Sequence, residues 1–325
     1  MKLARNVVTA VLAASVGYAA AAQTDASFPA RPIRMIAPSS AGGPVDVIAR
    51  PVSQGLGEVL GQQVVVDNRA GAAGLIGAEL VAAGTPDGYT LLFGFSGPLV
   101  IVPHLGGNTP YNTLRDFVPV SLVAQAPYVL VVRPNLGVST VKELIALAKA
   151  QPGKLNFASG GNGTGIHLAG ELFKLAAGVN IVHVPYKGAG PGQTALLANE
   201  VDMMFNGLPS ALPHVKSGRL KALAVGGVKR SSLLPDMPTV AESGLAFNTS
   251  GWYGVLAPRG TPRAIVTRLH AATVKALSAP ALKESLEKQG VETVGSTPEQ
   301  FATLIREEWN KWEKVIRTAG LKVQK

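Results

Sequence analysis

The chain contains no cysteine. That excludes a disulfide framework, a thiolate zinc site, an iron–sulfur cluster and a thiol nucleophile. Charge is also scarce: Asp, Glu, Lys and Arg make up 15% of 325 residues, against about 25% in ordinary soluble domains. Hydrophobic residues still reach 47%, enough for a sizeable core, so a disordered chain is excluded. Aromatics are few, at 6%, and are not interleaved with a basic stripe as a nucleic-acid surface requires. After residue 22 no run of 18 uncharged apolar residues occurs, which excludes a later membrane-spanning helix.

The common catalytic signatures are missing too. Gly153-Lys154 is followed by Leu155, so there is no P-loop, and Gly94-Phe95-Ser96-Gly97-Pro98 lacks the last glycine of a nucleophile elbow. The run Gly160-Gly161-Asn162-Gly163-Thr164-Gly165 fails G-x-G-x-x-G in every frame. His104, His167, His183, His214 and His270 form no H-E-x-x-H pair or close metal-ligand pair. No paired carboxylates for hydrolysis can be picked out. Neither a catalytic residue, a metal site nor a cofactor is expected.

What is present begins with an export signal. Lys2 and Arg5 form a positive start, Val7–Ala22 runs uncharged, and four alanines at 19–22 offer A-x-A cleavage frames. Residues 1–22 therefore read as a signal peptide. The 16-residue run is short for a bilayer span. Export without cysteine suits the periplasm of a Gram-negative bacterium. The 30 Lys and Arg against 20 Asp and Glu give +10, and without Lys2 and Arg5 the mature chain keeps +8. Such an excess suits either nucleic acid or small anions.

Beyond the signal, short β-rich runs alternate with helical segments, as βαβ units do. Strands are expected at 33–37, 64–66, 89–95, 156–158, 181–184, 201–205, 220–225 and 252–257. Two more, 118–124 and 128–132, are separated by Pro127. Helices are expected at 45–60, kinked at Pro51, and at 76–83, 141–150 and 166–176. A helical tail follows over 263–319, with nothing after Ala257 resembling a new sheet. In that tail Phe301, Ile305, Trp309, Trp312 and Ile316 form an apolar stripe opposite charges of mixed sign, the pattern of a packed surface helix. The result is an α/β chain of two lobes joined by two crossings, near 126–128 and 251–252. Domain 1 takes 23–126 plus 252–325, and domain 2 takes 127–251.

Two glycine-rich loops, Pro38–Asp46 and Ser159–Gly165, sit at the carboxyl end of an expected strand and open a helix. Ligands bind at that edge in open α/β sheets. Exposed amides and a helix start can hold an anion without a charged side chain, and Ser39, Ser40, Ser159 and Thr164 add hydroxyls. Asp46, in the first helical turn, reads either as a cap or as an acceptor for a ligand donor. Asn206 and Ser210 follow the 201–205 strand at the same edge, and His167 reads as a core histidine.

Phe28–Arg34, Ala41-Gly-Gly-Pro-Val-Asp46, Val64–Arg69 and Pro86–Thr90 together resemble one family. So do Ser159–Thr164 with His167-Leu168, His183-Val-Pro-Tyr-Lys-Gly188, Ala222–Val225 and Ala257–Pro262. It is the Bug (Bordetella uptake gene) family, the extracytoplasmic receptors of tripartite tricarboxylate transporters, and the likeness spans residues 28–325. The resemblance implies a two-lobed periplasmic binding protein of the Venus-flytrap, type II-like class with two crossover strands. It implies a monomer that captures a small organic mono- or dicarboxylate and delivers it to membrane permease subunits, with no enzymatic activity. By position, the carboxylate grip falls on Ser40, Ala41, Gly42 and Asp46 in the first lobe. In the second it falls on Ser159, Gly163, Thr164, Asn206 and Gly207, with Ser96 in a further contact loop. Two departures stand out. Ser39 occupies a place that is commonly aromatic and Pro44 one that is commonly small. The stretch after Ser96, Gly97–Val102, is apolar where the family is often polar. Leu99–Val102 reads either as a pocket wall, suiting a ligand with a hydrophobic or aromatic body, or as a buried helical turn. An enzyme of the same two-lobed fold acting on a carboxylate, and a polyanion binder, are the alternatives.

Overall fold

The computed structural model describes residues 28–106, 108–319 and 321; the expected signal peptide lies outside them. Three parallel strands, β1 (Ile33–Ala37), β2 (Val64–Asn68) and β3 (Thr90–Phe95), begin a first sheet. They are crossed by helices α1 (Pro44–Leu60) and α2 (Leu75–Ala82). After the short α3 (Thr113–Asp116), strand β4 runs for 16 residues, Phe117–Val132. A second set follows: α4 (Val141–Ala150), β5 (Asn156–Ser159), α5 (Gly165–Ala177), β6 (Val182–Pro185) and α6 (Ala189–Leu197). It is completed by β7 (Met203–Gly207), α7 (Leu208–Lys216) and β8 (Lys221–Val225). Strand β9 (Ser250–Pro258) returns to the first sheet, followed by α8 (Arg263–Leu277), α9 (Pro280–Glu287), β10 (Glu292–Thr293) and α10 (Pro298–Ala319).

The two expected strands around Pro127 are one. Phe117–Pro127 of β4 pairs antiparallel with β9, and Tyr128–Val132 pairs antiparallel with β7 and β8. Pro127, opposite Ser250, stands where the strand exchanges partners. A residue without an N–H is tolerated at such a change. The first sheet thus runs β2-β1-β3-β9-β4-β10 and the second β8-β4-β7-β5-β6. Strand β10 interrupts the expected helical tail over 263–319 without starting a new sheet: two residues extend the edge of an existing one beside Gln125 and Ala124. Such a strand is too short to show a period-2 pattern. Helix α1 continues through Pro51.

Alternation along β1 builds the first lobe's two core layers. Ile33, Met35 and Ala37 join Ile48, Val52 and Leu269 on one face, while Ile36 joins Leu92, Phe301 and Trp312 on the other. Leu99, Val100 and Ile101 are fully buried in that second layer. Trp312 is buried, and Trp309 meets His104 edge-on at 4.3 Å, so both tryptophans pack within the protein. Phe301 lies edge-on to Trp252 at 5.7 Å and directly over Gly254. The second lobe packs around Phe157, Phe173 and Phe205.

Beneath the β5–α5 loop that core holds two stacked histidines, His167 of α5 and His183 of β6, with ring centroids 4.1 Å apart. The Gly163 N–H donates to His167 Nδ1 at 3.1 Å, and Ser159 Oγ lies 2.6 Å from His183 Nε2. Burial, then His183 and Lys174, pushes His167 down to about 3. Burial, then Lys174, pushes His183 down to about 4. Glu171, 4.0 Å from His167 Nε2, is itself paired with Lys174. Unfolded imidazoles titrate near 6.5, so unfolding takes up protons that the native rings refuse. Stability present above pH 6.5 is therefore lost as the pH falls toward 4, by up to about 1.4 kcal/mol per pH unit for each ring. Urea denaturation at pH 7.0, 6.0 and 5.0 should show this slope, and His183→Gln should flatten it. An unchanged slope in the variant would assign the pH dependence elsewhere.

Candidate functional site

The sequence places glycine, proline or a small polar residue where each parallel strand gives way to its helix. The fold gathers these corners on facing edges of the two sheets, the usual ligand position in open α/β folds. Between them lies a cavity of about 40 Å³, room for about three waters. The first lobe contributes Ser39 and Val45 beside the start of α1, and Gly71 and Gly74 before α2. The second contributes Gly160 and Thr164 before α5 and Gly188 before α6. Aromatic side chains close the remaining sides: Phe95 at the end of β3, Tyr128 of β4, and Trp252 and Tyr253 of β9.

No Lys, Arg, His, Asp or Glu lines the cavity. Its positive potential comes from helix starts. Val45, Gly165, Ile166 and Ala189 lie in first helical turns, where N–H groups have no intrahelical acceptor, and all four line the cavity. Among the described residues no group of three or more His, Asp or Glu could hold a metal ion, and no helix is long and apolar enough to cross a membrane.

The lobes meet closely. Gly190 N–H donates to Ser40 Oγ across the cleft at 3.3 Å. A Cβ on Gly190 would overlap the Ala41 carbonyl oxygen, and one on Gly188 would overlap Ser40 Oγ. Gly207, the N-cap of α7, faces Pro44: a Cβ there would come within 2.6 Å of its ring. Gly163, at φ +91°, leaves the same narrow space for Val102.

The expected site residues divide accordingly. Thr164 lines the cavity while capping α5, accepting the His167 N–H at 3.3 Å and donating to Gly161 O at 2.9 Å. Ser40, Gly163 and Gly207 make the cross-cleft contacts just described. Ala41 and Gly42 are exposed at the rim. Ser96 is buried, its hydroxyl packed beside that of Tyr128 against Gly165. Three others turn inward. Ser159 holds His183 and accepts the Gly161 N–H at 3.0 Å. Asn206 donates to Gln193 at 2.6 Å and accepts the Gly207 N–H at 2.9 Å. Asp46 accepts the Gly42 N–H at 3.0 Å and pairs with Arg50 at 2.8 Å, fastening the first loop to its own helix. Burial works to raise its pKa, but hydrogen bonds from Arg50, Gly42 and Asn68 outweigh this and hold the carboxyl below its usual range.

The Gly188–Gly190 corner, the Gly71–Gly74 turn and the four aromatics are additions to the sequence-based site. The corner carried a signal, since Gly188-Ala-Gly190 follows β6 as the other loops follow β1 and β5. Of the aromatics, Tyr128, Trp252 and Tyr253 carried none beyond lying near the two crossings, and Phe95 carried none beyond ending a strand.

This geometry has relatives. The sequence profile of the tripartite tricarboxylate transporter family receptor (TctC) matches residues 48–321. Protein BugT of Bordetella pertussis is 41% identical over 319 residues, 98% of each chain. A Rhodopseudomonas palustris protein solved with adipate is 35% identical with a TM-score of 0.88, covering 91% of this chain and 99% of its own. MatC from the same organism, solved with bound malate, is 32% identical with a TM-score of 0.85, covering 89% of this chain and 100% of its own. Such proteins are solute-binding receptors, not enzymes. The chain belongs to the tripartite tricarboxylate transporter receptor family, as a Bug-type, two-lobed periplasmic binding protein.

Proposed function

We propose that this protein is a periplasmic receptor that closes its lobes on a small organic carboxylate and presents it to the membrane subunits of a tripartite transporter. One observation carries the reading: first-turn residues of helices from both lobes line a cavity that has no cationic side chain in its wall. Neutral donors at helix starts bind anions without a counter-charge. The relatives solved with adipate and malate support the same ligand class. The grip we assign is the Val45, Gly165, Ile166 and Ala189 amides with the Ser39 hydroxyl, while Thr164 caps α5 at the cavity wall. Ser40, Ala41, Gly42 and Asp46 shape the first loop, and Ser96, Ser159, Gly163, Asn206 and Gly207 shape the opposing side. The domains of this reading are 23–126 with 252–325, and 127–251, with the signal at 1–22 directing export and the receptor acting as a monomer.

A thermal-shift screen against a panel of carboxylic acids tests the reading. A ligand at 100 times its Kd should stabilise the protein by about 2.7 kcal/mol, and a panel without any stabiliser would overturn it.

Closure is tested separately by Gly190→Ala. Helix propensity favours Ala there, so the fold should keep its denaturation midpoint. The new methyl meets the Ala41 carbonyl only when the lobes are shut. Calorimetric titration with the best acid from the screen should show at least tenfold weaker binding. Unchanged affinity would mean that the bound state is less closed than this one.

A further inference from the structure

The cavity's hydrogen-bonding groups are unevenly shared between donors and acceptors, and this restricts the body of the ligand. The inference rests on the carboxylate reading above. Asp46 and Asn206 are the acidic and amide side chains that the sequence places at this edge, and either could in principle accept a hydrogen bond from a hydroxyl or an ammonium group. Neither lines the cavity, and both are committed elsewhere: Asp46 to Gly42 and Arg50, Asn206 to Gln193 and Gly207. No other Asp, Glu, Asn or Gln lines it. The Thr164 hydroxyl already donates to Gly161 and accepts from His167, and the Tyr128 hydroxyl is packed with that of Ser96 against Gly165.

Among the lining side chains the Ser39 and Tyr253 hydroxyls can accept as well as donate, but no carboxylate or side-chain amide is present, and the other free groups are donors. The first-turn amides are donors. Among the lining side chains described, Trp252 alone carries a buried polar atom without a partner, and its indole Nε1–H is also a donor. Phe95 and the Trp252 ring supply apolar lining.

We propose that the ligand is a carboxylate with an unsubstituted hydrocarbon body, and that Trp252 Nε1 donates to one of its carboxylate oxygens. Such a ligand places acceptors at the donors and hydrocarbon against the rings. A 2-hydroxy acid would bury a hydroxyl donor facing no carboxylate or amide. A 2-amino acid would bury an ammonium with no counter-charge, which is costlier still.

Matched pairs test the substituent and hold length constant. The purified full chain is titrated calorimetrically with succinate against malate, glutarate against glutamate, and adipate as a longer unsubstituted acid. The unsubstituted member of each pair should bind at least tenfold tighter, with the larger ratio for glutarate over glutamate. Malate matching or exceeding succinate, or glutamate matching or exceeding glutarate, would overturn the proposal and leave the carboxylate reading intact. Failure of all five acids, together with an unresponsive thermal-shift panel, would remove the carboxylate reading and the proposal with it. Trp252→Phe keeps a ring against Phe301 and removes the N–H. It should weaken every binding acid about tenfold and leave the urea midpoint unchanged. Unaltered affinity in that variant would remove Trp252 from the grip.

Discussion

One strand belongs to both sheets, and the rest of the arrangement follows from that constraint. Residues 117–127 of β4 lie beside β9, and residues 128–132 lie between β7 and β8. Because β4 is continuous, the carboxyl edges of β1 and β3 in one lobe and of β5, β6 and β7 in the other are held facing each other. Helices α1, α5, α6 and α7 then begin at the cleft. A rigid shared strand with a partner exchange at Pro127 and Ser250 gives two bodies one fixed line about which to close. Hinge motions of this kind need only a few residues at element ends.

Close approach at the cleft sets the second requirement, and glycine meets it. Gly190 has no positive φ, so its lack of a side chain serves the contact with Ala41 and not the backbone. Gly207 against Pro44 is the same case. Gly163 and Gly188 combine both demands, a left-handed φ and a neighbour where a Cβ would stand. The 37 glycines therefore explain the closed geometry better than the +10 charge does. None of the cations lines the cavity; Arg50 and Lys174 act through ion pairs within the protein, and the net excess adds only to the general field around the molecule.

Much of this was legible in the sequence for physical reasons. Strand β1 and helix α4 announce themselves through period-2 and period-3.6 apolar spacing, and the two glycine-rich loops through their place after a strand. Pro127 misled because proline usually ends strands, and sequence alone does not reveal that the partner changes at that residue. Asp46, Ser159 and Asn206 are polar residues at the right edge of the sheet, so they read as ligand contacts. Their side chains instead satisfy loop amides and buried neighbours, a choice decided by rotamer and tertiary packing that no local pattern encodes. The aromatics of the wall come from β3, β4 and β9, far apart in sequence, and unite only once both crossings are made.

The histidine pair shows why a loop of amides can serve as a grip at all. A glycine-rich loop is costly to order, since glycine loses more backbone freedom than any other residue. Within Ser159–Gly165 that cost is met from below: Ser159 Oγ takes the Gly161 N–H, and His167 Nδ1 takes the Gly163 N–H. The second acceptor depends on a neutral imidazole, because a protonated His167 has no lone pair to offer at Nδ1. Burial beside Lys174 keeps both rings neutral. Two loop amides are thereby consumed in holding the loop. Gly165 and Ile166, first-turn residues that line the cavity, are left with no intrahelical acceptor for their N–H groups. The same division holds in the first lobe, where Asp46 consumes the Gly42 N–H and leaves Val45 at the cavity. In both lobes the buried polar side chains bind the protein so that the backbone can bind the ligand.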